Sequence, residues 1–218
     1  MPADVIFFTV LHLIVFAYWL GGDLGVFYSS TILTDESQQT PARLAAAKVL
    51  LNVDLAPRMA LLATLPTGLA LAASKGWLTL PVWAVPAAFL AAVLWIGLVL
   101  RLHVAHGAKG LQALDTWLRY AFILGLAATA GAGLAGVWAV PTFLSLKLLI
   151  LAFAVTMGLA IRRALVPFGP AFGALAGGDA SPETNAVIKK SIGSSRPFVI
   201  AIWIALIAAA TLGVATPA

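Results

Sequence analysis

The sequence predicts an all-α bundle of six transmembrane helices, and three observations predict it. Of the 218 residues, 62% are hydrophobic and only 10% are charged, whereas soluble chains run near half apolar and a quarter charged. The mean hydropathy of +1.03 extends over the whole chain, so the apolar residues are not confined to one anchor. Six apolar stretches recur, each near the roughly 20 residues a helix needs to cross a bilayer. They leave no room for a separate soluble domain, and residues 1–218 read as one integral membrane domain.

The first span covers about 5–32, too long for a signal-peptide core and without a basic segment before it. The second covers about 55–74. Asp54 is placed to cap it, Pro57 falls in the first turn where a missing N–H costs nothing, and Pro66 marks a kink. The third, fourth, fifth and sixth cover about 82–104, 118–137, 141–164 and 198–214. Gly76 and Pro81, then Gly136 and Pro141, punctuate two tight turns.

Charge placement orients the bundle. Of the 13 Lys and Arg residues, all but Lys75 and Lys147 fall in or beside the connections after spans one, three and five. That asymmetry puts those connections in the cytoplasm and both termini outside it. The net charge of +5 thus reports topology, and no nucleic-acid partner is expected. Thr40-Pro41 and Ser181-Pro182 each pair an N-cap with a first-turn proline ahead of basic residues, Arg43 and Lys48 or Lys189 and Lys190. They predict short interfacial helices lying on an anionic leaflet. Residues 169–178, rich in Gly and Ala, predict a flexible loop. A displacement of 61 superposes Arg58 on Arg119, Trp77 on Trp138, Gly97 on Gly158 and Arg101 on Arg162. It suggests that spans two–three and four–five are repeated hairpins.

Cysteine is absent, which excludes disulfides, thiolate metal sites and iron–sulfur clusters. No phosphate-cradling glycine loop, nucleophile elbow or paired carboxylates appear, so hydrolase and kinase chemistry find no support. What remains are ionisable residues inside spans, each a functional-site candidate. His12 and Lys147 enter their spans from the same side to a similar depth, roughly 10 Å at 1.5 Å per residue. An imidazole and an amine facing one cavity would suit a b-type heme or a metal. Asp23 lies three turns beyond His12 on the same face, with Trp19 between them. At its depth it calls for a neutralising arginine, Arg58 or Arg119 above all. His103 and His106, spaced i,i+3, read as a headgroup-facing pair that could bridge a metal, with Asp115 the nearest third ligand.

Leu11-His12-Leu13 followed by Trp19-Leu20-Gly21-Gly22 resembles the first-span signature of the copper-resistance D family. The same His-x6-Trp pattern is similar to that of the bacterial membrane protoporphyrinogen oxidases. Leu146-Lys147-Leu148, closing at Arg162-Arg163 and preceded by the helix of Arg119, resembles the Lys-Leu helix of both. In the oxidase branch the resemblance implies that His12 binds heme b, that Lys147 is required, and that the chain sits in a bacterial cytoplasmic membrane. Three functions are carried forward. One is a heme-b redox protein, with His12 as axial ligand and Lys147 as second ligand or propionate partner, Trp19 lying beside them. Another is a copper, metal or small-solute permease using the His12–Asp23 face. The last is a non-catalytic subunit that packs its Gly faces and Trp belt against other membrane subunits or further copies of itself.

Overall fold

The structure is a computed structural model that describes residues 1–105 and 108–215. Among these it contains eight helices and no strand. They are α1 (Ala3–Thr34), α2 (Thr40–Val53), α3 (Leu55–Ser74), α4 (Ala84–Val104), α5 (Lys109–Leu134), α6 (Thr142–Ala164), α7 (Phe168–Ala176) and α8 (Pro182–Val214). Six are long and apolar enough to cross a membrane, counting α2 and α3 together. The expected all-α six-span bundle is therefore the fold.

The six spans close into a ring in the order α4, α3, α1, α8, α6, α5, with α4 and α5 touching least. Its centre is filled by side chains from every span, among them Val15, Trp19, Leu61, Val99, Leu126, Val155 and Ile202. At 1.5 Å per residue the 32 residues of α1 and the 33 of α8 run about 48–50 Å, well beyond a hydrocarbon core of about 30 Å. Their excess lies on the side away from both termini, here termed the basic side. There α2 and α7 pack beside them around a second apolar core of Leu33, Ala47, Leu50, Ala171, Leu175 and Ile188.

Three expectations are corrected at this end. Arg43 does not lie on a leaflet surface. It is 3% exposed, its Nε donates to the Leu33 carbonyl at 2.9 Å and its Nη2 to the Asn185 side-chain oxygen at 2.8 Å. A charge withdrawn from water needs such partners, and these tie α1, α2 and α8 together. Ser181 does cap a helix, accepting from the Thr184 N–H at 3.3 Å, but that helix is α8 itself, continuous into the sixth span. Residues 169–178 are largely helix, because Phe168, Ala171, Phe172 and Leu175 share one face and bury it on the second core.

The repeat gains detail. The displacement of 61 also superposes Asp54 on Asp115, and both pairs, Asp54–Arg58 and Asp115–Arg119, are i,i+4 ion pairs. Both hairpins also turn alike. Gly76 and Gly136 follow α3 and α5 at φ +71° and +72°, conformations that suit glycine. Trp77 N–H returns to the Ala72 carbonyl and Val137 N–H to the Ala132 carbonyl, each at 2.9 Å, closing the helix end in the same way.

Candidate functional site

The ring holds two polar layers, separated by the apolar plug around Trp19. In the layer nearer the termini, His12 of α1 faces α3. Its Nδ1 lies 2.8 Å from the Thr67 hydroxyl. That hydroxyl is 2.7 Å from the Ala63 carbonyl one turn earlier and 3.2 Å from that of Thr64. Gly68 leaves the imidazole its place, since a Cβ there would come within 3.3 Å of the ring carbon Cε1. Lys147 of α6 extends toward α8, where a Cβ on Gly213 would stand 2.6 Å from Nζ. Gly213 stands on α8 at the level of Thr211 and Val214, which line a groove with Phe16 one turn beyond His12. The two residues chosen by depth thus share one layer, held on opposite sides by Gly68 and Gly213. One turn beyond His12, Phe16 lines a shallow apolar groove between α1 and α8 with Ile207, Ala210, Thr211, Val214 and Ala215.

Trp19 is 2% exposed and packs within the central core. It therefore separates the two layers and is part of the plug.

The layer nearer the basic side is arranged differently from the sequence expectation. Arg58 pairs with Asp54 and Arg119 with Asp115, so neither neutralises Asp23. Its Oδ2 is buried without a hydrogen-bond partner. Both arginines already have an acid four residues back on their own helix, and that local geometry places the pair together before any other helix is met. The strongest polar cluster, missed from sequence, centres on Asp115, which is fully buried. Its Oδ2 accepts from Arg162 Nη1 at 2.6 Å and from Arg119 Nε at 3.1 Å. Its Oδ1 accepts from the Trp95 indole at 2.7 Å, and the Arg119 guanidinium lies 5.8 Å from the Trp95 ring centre. The cluster locks α4, α5 and α6 to one another.

Asp115 is thereby committed and does not serve as a third ligand for His103. His103 lies in the last turn of α4, and His106 lies outside the described residues. Among the described residues no three His, Cys, Asp or Glu side chains are grouped to hold a metal ion. Comparison with known protein families, with curated proteins and with solved structures finds no match to this chain. The site's chemistry therefore rests on its own geometry. Its class is a helix bundle with six candidate membrane spans, with His12 and Lys147 in the half nearer the termini and the arginine–aspartate cluster in the half nearer the basic side.

Proposed function

We propose that the protein is a heme-b-binding membrane redox protein of the porphyrinogen-oxidase kind, set in a bacterial cytoplasmic membrane with both termini outside. One observation carries this: an imidazole inside the bundle, fixed through one nitrogen, with an apolar groove one turn away and the Lys147 amine extending toward α8 at the level of that groove. The donor set fits. His12 offers a nitrogen ligand of the kind heme iron takes, Lys147 a second ligand or a cation for a propionate, and the groove an apolar wall. A bound heme b supplies one-electron chemistry. His12 would hold the group, Lys147 would balance its charge, and the Trp19 plug would close the layer from the basic side.

Purified protein, expressed with ample heme, should show a Soret band with reducible α and β bands. His12→Ala should abolish them, and Lys147→Ala should shift them without necessarily releasing the pigment. Colourless wild-type protein overturns the proposal. Metal analysis would then separate a copper or solute permease, for which the unpaired Asp23 oxygen on the His12 face is the favouring feature, from a non-catalytic subunit.

A further inference from the structure

We infer that Thr67 is a positioning residue that holds the proton of His12 on Nδ1 and presents Nε2 as the free lone pair of the site. The argument is one of hydrogen-bond bookkeeping around a single hydroxyl. Thr67 is 2% exposed and has one proton to give and two lone pairs. Its oxygen stands 2.7 Å from the Ala63 carbonyl oxygen and 3.2 Å from that of Thr64. Carbonyl oxygens only accept, so an O···O approach of 2.7 Å requires a proton between the two atoms. The hydroxyl has only one, and it is spent there. At the 2.8 Å contact with His12 the hydroxyl must therefore accept, and Nδ1 must carry the hydrogen. In the opposite arrangement the lone pairs of this buried hydroxyl would face two carbonyl lone pairs. A neutral imidazole protonated on Nδ1 has its lone pair on Nε2.

Gly68 completes the arrangement. A hydrogen there lets the ring lie close against α3, where a Cβ would crowd it at 3.3 Å from Cε1. The side chain is thus fixed both in tautomer and in orientation by adjacent residues on α3. Histidines that bind metals are oriented in this manner, the nitrogen that does not bind donating its N–H to an acceptor. The assignment of Nε2 as the iron-binding atom rests on the heme proposal. The tautomer itself does not.

The test separates the two. Protein labelled with ¹⁵N-histidine, carrying His103→Gln and His106→Gln so that His12 alone reports, is examined by NMR in detergent at pH 8 without heme. The expected spectrum shows a protonated Nδ1 and an unprotonated Nε2. Thr67→Val, nearly isosteric but without an acceptor, should lose that preference, and Thr67→Ser should keep it. Hemin is then added to each form. Thr67→Val should weaken retention by about 10- to 100-fold, the usual loss when a ligand's orienting partner is removed, and Thr67→Ser should restore it. A wild-type Nε2–H tautomer, or a preference untouched by Thr67→Val, overturns the inference even if heme binds. The expected tautomer in a protein that takes no hemin upholds it and overturns the heme proposal instead.

Discussion

Replacing Asp115 by asparagine tests whether the arginine–aspartate layer holds the bundle together. Asparagine keeps a carbonyl oxygen that can still accept the Trp95 indole, now 2.7 Å from Oδ1. It puts an NH2 group where Oδ2 accepts from two guanidinium groups, at 2.6 and 3.1 Å, so donor meets donor and the negative charge is gone. Removing one partner of a buried ion pair costs about 3–5 kcal/mol. Arg162 contributes at the low end, because its side chain is 35% exposed and can turn toward water. Arg119 is 4% exposed and its Nη2 is already without a partner, so it cannot escape. A loss of about 3 kcal/mol follows, near 6–12 °C at roughly 2–4 °C per kcal/mol for a chain of this length. Thermal unfolding in detergent, followed by circular dichroism, reads it. Adding Arg119→Met, which removes the stranded cation and keeps an apolar side chain, should recover part of the loss. A single variant within about 0.5 kcal/mol of wild type, or strict additivity in the double variant, refutes the argument.

Three further outcomes follow from the structure. Gly22→Ala should destabilise by about 1–3 kcal/mol, since its Cβ would come 2.6 Å from Pro57 Cδ and 3.3 Å from Ala56 Cβ, on a helix that cannot yield locally; Gly21→Ala, with nothing within 4 Å, should be neutral or slightly stabilising in the same unfolding assay. Reporter fusions after Lys109 and after Ala218 should report opposite compartments, the first cytoplasmic; the same compartment for both would break the six-span count. The Thr184 hydroxyl, then the Ser181 N–H and side chain, hold the Asp179 carboxyl below the usual carboxylate range. Because the folded value is the lower one, this contribution is complete above the ordinary Asp value of about 3.9 and fades as pH falls through the folded value. Amide protection factors in the first turn of α8, taken relative to the intrinsic exchange rate at each pH, should therefore fall on acidification, and Asp179→Asn should make them low and unchanging over that range.

Length of apolar run and depth along a helix are one-dimensional quantities, and what depended on them alone was legible in the sequence. The six spans belong to that class, and the capping Ser181 and the turns at Gly76 and Gly136 were legible from local residue chemistry. The glycines of 169–178 mask the helical recurrence of Phe168, Ala171, Phe172 and Leu175, and the i,i+4 spacing of Asp54 with Arg58 and Asp115 with Arg119 supplies both arginines with a partner on their own helix, leaving none for Asp23. The remaining gaps needed azimuth, the direction a side chain faces around its helix once neighbours are assigned. Arg43 sits among basic residues that do reach water, and only the packing of α2 between α1 and α8 turns it onto Leu33 and Asn185. Thr67 is harder still. A threonine in an apolar helix bonds its own backbone one turn back whatever it faces, as Thr64 and Thr156 do here. Nothing in sequence distinguishes it from them until α1 lays an imidazole across it. That same back-bond, which looks like a helix merely satisfying a hydroxyl, commits the proton and so decides which nitrogen of His12 is left to bind.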